Sequence, residues 1–262
     1  MLWQDLERIR AEAPLIHNIT NYVVMNLTAN ALLAVGASPV MAHAVEEVEE
    51  MAGMARALVL NIGTLSPQWI DAMEKAGREA GRRRIPIVLD PVGCGATRFR
   101  TASALRLLEE APPTVIRGNA SEIRALAGAG GITKGVDSTS APEEAVEAAQ
   151  ALSRRCRCAV SVSGATDVIV EGDCIIRVRN GHPLMTRVTG LGCVASAITG
   201  AFAAVNPSGF RAAAHAMCLM GVTGEVAAER SSGPASFQVS FLDALHSLRR
   251  ADIEPRLNLD QA

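Results

Sequence analysis

The alternation that decides the fold lies in residues 57–93, which read ALVLNIGTLSPQWIDAMEKAGREAGRRRIPIVLDPVG. Two apolar runs, Ala57 to Ile62 and Ile85 to Leu89, are typical of strands that are buried on both faces. Between them, the dipeptide Ser66-Pro67 predicts the start of a helix, and the helical segment runs to Gly81. A strand, a helix and a second strand in succession indicate an α/β protein whose sheet is largely parallel.

The same alternation continues on both sides of this segment. Further strands are predicted at Leu15 to Ile19, Pro39 to Ala42, Thr114 to Ile116, Ala159 to Ser163, Val168 to Val170 and Cys174 to Val178. The last two are predicted to form an antiparallel hairpin around residues 171–173. A second helix is predicted from Ser140 to Arg155, because its first turn is acidic and its last turn basic, and the chain after Cys193 is predicted to be mainly helical. The loop-like stretch Gly128 to Gly135 is too short to separate domains, so we expect residues 1–262 to form one domain.

Charge and composition argue against several classes of protein. The chain has 27 Asp and Glu against 25 Lys and Arg, with no long block of one sign, so we expect no DNA, RNA or anionic membrane as a partner. The uncharged stretch Val194 to Val205 is far shorter than the about 18 apolar residues of a membrane span. The amino terminus reaches charge at Asp5 without an apolar region, and we therefore expect a cytoplasmic protein.

The chain contains 6 cysteines, which we expect to be reduced thiols rather than disulfides. Cys156 and Cys158 are separated by one residue, whereas zinc ligands are usually separated by two or more, and no second pair of Cys or His completes a zinc site. We interpret this pair of cysteines as structural.

Polar residues follow several of the predicted strands. Asn61 lies near the end of one of them, Asp90 and Arg117 directly follow two others, and Ser163 is the last residue of a fourth. Because ligands of open α/β sheets bind beyond the carboxyl ends of the strands, we expect these residues to share one site. A carboxylate, an arginine and hydroxyl groups can hold a phosphate and its metal ion. Since an unpaired buried carboxylate is costly, we interpret Asp90 as a functional residue rather than a turn residue.

The strongest single segment is VTGLGC at residues 188–193, which precedes an Ala-rich helix. Gly190 and Gly192 allow backbone amides to approach an anion closely, and the helix dipole adds about half a positive charge there. These features predict an anion hole formed by Gly190, Gly192 and Cys193. Cys193 lies in the first helical turn, where the pKa of a thiol tends to fall. It is either a base that faces an incoming hydroxyl or a buried packing residue, and the sequence leaves both open.

Other patterns limit the chemistry. Glu122 follows Asn119 at the spacing of a capping box, which accounts for Glu122 without a metal ion. A structural ion pair would equally account for Arg117. The 5 histidines have no evident Ser or Asp partner, so a hydrolase triad is unsupported. The P-loop motif is absent, and Lys75 and Lys134 are the only lysines, which excludes a P-loop enzyme.

Ordered sequence blocks carry a resemblance that covers most of the chain. The blocks are ITNYVVMN (19–26), GASPVMAH (36–43), LNIGTL (60–65), LDPVG (89–93), RGNASEI (117–123), NGHP (180–183) and TGLGC (189–193). With these blocks the sequence resembles the hydroxyethylthiazole kinase family of the ribokinase-like superfamily. The resemblance implies a ribokinase-like three-layer sandwich, in which helices flank a largely parallel central sheet.

The resemblance also implies an activity and a set of site residues. The activity is ATP- and Mg²⁺-dependent phosphorylation of the hydroxyl of 4-methyl-5-(2-hydroxyethyl)thiazole in thiamine salvage, by a homotrimer whose active sites lie between subunits. Carried over by position, the substrate-binding residues are Met41, Asn21 and Gly190, the ATP-binding residues are Arg117 and Ser163, and the residues that serve magnesium and the phosphates are Asp90 and Glu122. Cys193 stands where the wider superfamily usually has an aspartate base.

Two positions depart from the family pattern, because Leu191 and Ser163 stand where the family commonly has threonine. Ser163 keeps a hydroxyl, and the loss of one at Leu191 is tolerated if backbone amides bind the phosphate. Two alternatives stay open. One is another ribokinase-like small-alcohol kinase, acting on a hydroxymethylpyrimidine or a sugar, and the other is a non-catalytic nucleotide or metabolite binder on the same fold.

Overall fold

Helices and strands alternate along much of the chain in the computed structural model, which describes residues 1–129 and 142–261. The strands are β1 Leu15–Ile19, β2 Ser38–Val40, β3 Ala57–Asn61, β4 Ile87–Asp90, β5 Val115–Asn119, β6 Ala159–Ser163, β7 Asp167–Glu171, β8 Cys174–Val178 and β9 Leu259–Gln261. The helices are α1 Leu2–Glu12, α2 Met25–Val35, α3 Val48–Met54, α4 Pro67–Arg83, α5 Arg98–Glu110, α6 Ala120–Ala129, α7 Pro142–Cys156, α8 Leu191–Val205, α9 Gly209–Glu229, α10 Pro234–Ser247 and α11 Arg250–Ile253. Short 3-10 helices cover Pro183–Arg187 and Glu254–Arg256. The predicted helix start at Ser140 and most of the loop-like stretch Gly128 to Gly135 lie outside the described residues.

The strands of the described residues form one 9-stranded sheet in the order β2-β1-β3-β4-β5-β6-β7-β8-β9. The pairs from β2 to β6 are parallel, and the pairs from β6 to β9 are antiparallel. Every predicted strand is present, and the predicted hairpin joins β7 to β8. The sequence does not predict β9, because Leu259–Gln261 contains one apolar residue and no apolar run.

Helices cover both faces of the sheet. One hydrophobic core lies between the sheet and α1, α2, α8, α9 and α10, and it includes Val59 and Val88. A second core lies between the opposite face and α3 to α7, and it includes Leu58 and Leu60. Neighbouring residues of β3 thus enter opposite cores, as expected for a strand buried on both faces. The predicted three-layer α/β sandwich is confirmed.

The ends of α4 show how local signals set the length of a helix. Ser66 caps the first turn with its side chain, as predicted. The predicted end at Gly81 is wrong, because the helix continues to Arg83 and Arg84 takes the left-handed conformation at φ 59°. Glu79 forms ion pairs with two arginines of the last turn, and such pairs support a helix beyond a glycine.

Two strands differ from their predicted bounds next to the candidate site. The sequence predicts that β5 ends at Ile116, but the strand continues to Asn119 because residues 117–119 pair with β6. Arg117 therefore belongs to the sheet rather than to the loop that follows it. β4 begins at Ile87 and not at Ile85, whose backbone N–H instead bonds to the last turn of α4.

The described part of the chain contains no helix that is long and apolar enough to cross a membrane. All 6 cysteines are free. Within residues 1–129 and 142–261, no group of three or more His, Cys, Asp and Glu side chains is arranged to hold a metal ion by itself.

Candidate active site

Asp90 lies at the carboxyl end of β4, in the parallel part of the sheet. Its Oδ2 accepts hydrogen bonds from Asn61 Nδ2 at 2.7 Å and from Ser196 Oγ at 2.6 Å, and the residue is 1% exposed. Burial raises the pKa of Asp90 to about 6, although the charge of Arg117 and the two hydrogen bonds lower it. No hydrogen bond found within the described residues reaches Oδ1, so this oxygen is left for a cation or a water molecule.

Asn21 and Cys193 belong to the same hydrogen-bond network as Asp90. Asn21 Nδ2 donates to Asn61 Oδ1 at 2.8 Å and to Cys193 Sγ at 3.4 Å. Gly63 leaves room for this amide, because a Cβ at Gly63 would lie 2.6 Å from Asn21 Nδ2. Three predicted site residues that are distant in sequence are therefore connected by hydrogen bonds. Asn61 joins Asn21 to Asp90, and Asn21 in turn contacts Cys193.

The Cys193 thiol is partly buried at the start of α8. Burial raises the pKa of Cys193 to about 11, and the charge of Asp90 acts in the same direction, while hydrogen bonds from Asn61 and Asn21 lower it less. The expectation of a lowered pKa at the helix start is therefore wrong, because burial beside a carboxylate outweighs the helix dipole. At neutral pH Cys193 keeps its proton.

The start of α8 has the backbone geometry that an anion hole requires. Gly190 precedes the helix at φ 91°, and a Cβ there would lie 2.6 Å from Val24 Cγ1, so this position needs glycine. No side chain of residues 1–129 or 142–261 caps the first amides of the helix, those of Leu191, Gly192 and Cys193. These amides lie at the positive end of the helix dipole. The side chain of Leu191 packs in the core, so the absence of a threonine hydroxyl leaves the amides in place.

Arg117 lies on β5, against the start of α8. A Cβ on Gly192 would lie 3.0 Å from Arg117 Nη1, and Arg117 is 8% exposed. Its Nε has no hydrogen-bond partner, and Arg117 takes part in none of the ion pairs found among the described residues. The structure thus shows no direct ion pair of Arg117, although its charge lowers the pKa of Asp90 and of Asp167. A guanidinium that is bonded directly to no carboxylate of the described residues can bind the oxygens of an anionic ligand.

Glu122 lies in the first turn of α6, and its carboxylate accepts hydrogen bonds from the backbone amides of two separate segments. Its Oε1 accepts a hydrogen bond from Gly93 N at 2.8 Å, and its Oε2 accepts one from Asn119 N at 2.8 Å. Asn119 Oδ1 in turn accepts from Glu122 N at 2.9 Å, which confirms the predicted capping box. The charge of Glu122 also raises the pKa of Asp90, so the two carboxylates lie close enough to interact.

A cavity of about 720 Å³ opens beside the start of α8. Its polar lining includes Arg117, Ser163 and the backbone of Gly190 to Gly192, whereas three methionines, Met185, Met217 and Met220, provide apolar lining. Ser163 lies at the end of β6, where its hydroxyl donates to Gly118 O at 3.4 Å. Cationic and apolar walls in one cavity fit a ligand that has both an anionic group and a flat apolar group.

Met41 lies apart from this cavity, directly after β2. His17, which is fully buried, donates from Nε2 to the backbone carbonyl of Ala42, the residue after Met41, at 2.8 Å. The ring of His43 packs on Trp69 with ring centroids 4.7 Å apart, and Tyr22 packs on the same indole at 4.8 Å. Met41 is half-buried and is close to these rings in the chain, since its backbone carbonyl lies 3.2 Å from His43 Nδ1, and it does not line the cavity.

Arg100 and Ser196 are site residues that the sequence analysis missed. Arg100 donates three hydrogen bonds of 2.7 to 2.9 Å to backbone carbonyls in the loops after β3 and β4, which follow Asn61 and Asp90. Contacts of a side chain with backbone carbonyls leave no sequence pattern, so Arg100 gave no signal. Ser196 did give one, because it follows Cys193 by three residues on one helix, a spacing that places both on the same face.

The sequence profile of the hydroxyethylthiazole kinase family matches residues 6–251. The chain belongs to this family. A hydroxyethylthiazole kinase of Syntrophus aciditrophicus (strain SB) is 60% identical over 258 residues, which cover 98% of this chain and 96% of the relative. A hydroxyethylthiazole kinase of Nitratidesulfovibrio vulgaris (strain DP4) is 54% identical over 261 residues, which cover 100% of this chain and 98% of the relative. The resemblance carried by the sequence blocks is thereby confirmed, and with it the enzyme class.

Solved structures agree with this family and with the ribokinase-like fold. The structure of hydroxyethylthiazole kinase from Pyrococcus horikoshii OT3 has a TM-score of 0.92 and 44% identity, covering 100% of this chain and 98% of that one. The pyridoxal kinase from Staphylococcus aureus in complex with AMP-PCP has a TM-score of 0.67 and 14% identity, covering 95% and 98%, and shows the fold alone. The ribokinase-like fold of the hydroxyethylthiazole kinase family was predicted from the sequence and is confirmed.

Proposed function

We propose that this hydroxyethylthiazole kinase family member transfers the γ-phosphoryl group of ATP to the hydroxyl of 4-methyl-5-(2-hydroxyethyl)thiazole, in a Mg²⁺-dependent step of thiamine salvage. The observation that carries the proposal is the buried Arg117, which forms no direct ion pair among the described residues, beside the uncapped start of α8. Together they offer a positive site for an anion next to the Asp90 cluster. In this proposal the ATP-binding residues are Arg117 and Ser163, and the anion hole consists of Gly190, Gly192 and Cys193.

The carboxylates near this site fit a magnesium ion. Mg²⁺ is usually held by one or two carboxylates together with substrate phosphates and water molecules, rather than by a cage of protein ligands. Asp90 uses only Oδ2 for hydrogen bonds within the described residues, and Glu122 lies near enough to raise the pKa of Asp90. We therefore propose that Asp90 and Glu122 serve the ion directly or through water. When bound, the ion would neutralise charge on the phosphates.

The residues of the chain would contribute mainly alignment and charge neutralisation. Phosphoryl transfer passes through a loose transition state, so positioning contributes more than proton removal does. Arg117 and the amides from Leu191 to Cys193 would bind the oxygens of the transferring group. Asn21 would line the pocket of the incoming alcohol beside Cys193. The small thiolate fraction of Cys193 at neutral pH makes its part as a base a secondary contribution.

Replacing Cys193 tests its part as a base. Cys193→Asp is expected to preserve turnover, because a carboxylate is ionised at neutral pH and accepts a proton at the same place. Cys193→Ala is expected to lower kcat by no more than the about 10²- to 10⁴-fold that is typical of a lost general base. Steady-state kinetics of both variants provide the measurement, with the exposed Cys174→Ala as a control. A folded Cys193→Asp enzyme without activity would defeat the assignment.

Replacing Met41 tests the wall of the thiazole pocket. Met41→Ala is expected to raise the KM for the thiazole alcohol about tenfold, because the apolar contact with a flat heterocycle is lost. The KM for ATP is expected to stay near the wild-type value, since Met41 does not line the cavity next to Arg117. Met54→Ala, at a position that is 60% exposed, is the matched control. An unchanged thiazole KM in a folded Met41→Ala enzyme would show that Met41 does not line the pocket.

We further propose a homotrimer whose active sites lie between subunits. Tyr22 and Val23 follow Asn21 directly and are 64% and 66% exposed, although both are large and apolar. A neighbouring subunit that covers them would close the pocket wall near Met41.

We also propose that residues 1–262 form one domain and that the reaction takes place in the cytoplasm. The 6 free cysteines are expected to stay reduced there.

The proposed activity is tested directly by incubating the purified protein with ATP, Mg²⁺ and the thiazole alcohol. The phosphorylated alcohol is expected, with its mass as the readout, and a hydroxymethylpyrimidine and a sugar in parallel reactions are expected to give little product. Preferential phosphorylation of one of those would support another small-alcohol kinase. Thermal stabilisation by ATP without any product would support a non-catalytic binder instead.

A further inference from the structure

Asp167 is a carboxylate in the cavity that none of the steps above uses. It begins β7 and lines the cavity together with Arg117 and Gly190 to Gly192. Its Oδ1 accepts a hydrogen bond from Gly164 N at 3.0 Å, which fixes the side chain over the turn between β6 and β7. Within the described residues, no hydrogen bond was found to Oδ2, and Asp167 forms none of the ion pairs.

Asp167 shares the cavity lining with cationic Arg117 and with two methionines, Met217 and Met220. Burial raises the pKa of Asp167, and the charge of Arg117 lowers it. On the other side, burial raises the pKa of Cys218, and the charge of Asp167 raises it further. Because such effects weaken with distance, Asp167 is near both Arg117 and the segment of α9 that carries Cys218. That segment also carries Met217 and Met220, which form apolar lining of the cavity.

A carboxylate at this place recognises hydrogen-bond donors. It offers only acceptor atoms, and its charge repels phosphate oxygens. In a nucleotide, the part between the phosphates and the base is the ribose, whose hydroxyl groups are donors. We propose that Asp167 accepts hydrogen bonds from the ribose hydroxyls of the phosphate donor, so that the cavity selects ribonucleotides over deoxyribonucleotides. This inference rests on the proposed function, which places the phosphates at Arg117 and the start of α8.

The hydrogen bond to Gly164 also allows a purely structural role for Asp167, and the two roles predict different results. If Asp167 only holds the turn, its loss weakens the binding of every nucleotide by a similar factor. If Asp167 binds the ribose, its loss weakens only nucleotides that carry the contacted hydroxyl. The ratio between a ribonucleotide and its deoxy form therefore separates the two roles.

The experiment measures the Kd of ADP, 2′-deoxy-ADP and 3′-deoxy-ADP by calorimetry. The wild-type protein is expected to bind ADP about tenfold more tightly than at least one deoxy form, as a hydrogen bond to a charged group predicts. Asp167→Ala is expected to bring that ratio to about one, and Asp167→Asn, which keeps an acceptor for Gly164, to reduce it. Asp173→Asn, at an exposed position in the β7–β8 hairpin, is the control and is expected to keep the wild-type ratio.

Two results would overturn the inference. One is equal affinities of the wild-type protein for all three nucleotides, and the other is an unchanged ratio in the Asp167 variants, whether or not all three nucleotides bind them more weakly. A protein that binds ADP with the expected ratio but does not phosphorylate the thiazole alcohol would contradict the proposed function alone. A protein that binds no nucleotide would contradict both.

Discussion

Replacing Arg117 with methionine is expected to lower kcat/KM for ATP by about 10²- to 10³-fold, the loss that follows removal of one preorganised donor to a transition state. Arg117 is buried against Gly192, and its Nε has no partner in the described part of the chain. The same change is expected to lower the stability of the ligand-free protein only modestly, because it removes the positive charge near Asp90 and Asp167 while no direct ion pair of the described residues is lost. The loss of activity is therefore expected to exceed what the loss of stability explains.

Steady-state kinetics and thermal unfolding of the ligand-free Arg117 variants measure the two effects. Arg117→Lys keeps the charge but loses the planar group with several donors, so an intermediate loss of activity is expected. Arg98→Met, which removes an exposed arginine at the start of α5, is the control for the loss of one positive charge. An Arg117→Met enzyme with nearly full activity would contradict the account, and so would a loss of activity that follows only from unfolding.

Replacing Asp90 with asparagine is expected to lower kcat by about 10²- to 10³-fold, because an uncharged amide holds a cation poorly. The amide has the size of the carboxylate, and its oxygen can still accept from Asn61 and Ser196, so the fold is expected to persist. The rate as a function of Mg²⁺ concentration is the informative measurement. Asp71→Asn, at a side chain that is 60% exposed, is the matched control. Wild-type activity and Mg²⁺ dependence in the Asp90→Asn enzyme would remove Asp90 from the magnesium site.

The pH dependence of the wild-type enzyme provides a second readout of Asp90. Its pKa is raised to about 6 by burial, so the carboxyl is protonated and neutral below that pH. At low Mg²⁺, kcat/KM is expected to fall about tenfold per pH unit below about pH 6, and more Mg²⁺ should shift the fall to lower pH, because cation and proton compete. The Asp90→Asn enzyme should lack this fall. If the midpoint of this fall in kcat/KM did not change with Mg²⁺ concentration, the assignment of Asp90 to the magnesium site would be contradicted.

Much of the fold could be predicted because its strands are short apolar runs between clear helix signals. The parallel strands are buried on both faces, so their apolar pattern is continuous and their positions follow from the sequence. The end of β5 could not be predicted in this way. Arg117 and Gly118 break the apolar pattern, and only pairing with β6 extends the strand through them.

Some residues of the candidate site could likewise be predicted from the sequence, and other features of the site could not. Asp90 and the glycines before α8 were recognisable, because a polar residue at a strand end and two glycines before a helix are local patterns. The pKa of Cys193 was not, since it depends on burial beside Asp90, which is distant in sequence. The bridge from Asn21 through Asn61 to Asp90 also required the fold, because three separate segments meet there.

In the proposed reaction, the first amides of α8 and Arg117 hold the transferring phosphoryl group. This placement is tested most directly by a crystal structure with Mg²⁺, a non-hydrolysable ATP analogue and the thiazole alcohol. We expect the terminal phosphate at about 3 Å from amides of Leu191 to Cys193 and from the Arg117 guanidinium, with the alcohol oxygen facing it near Cys193. A terminal phosphate bound elsewhere, with those amides facing no ligand, would contradict the account.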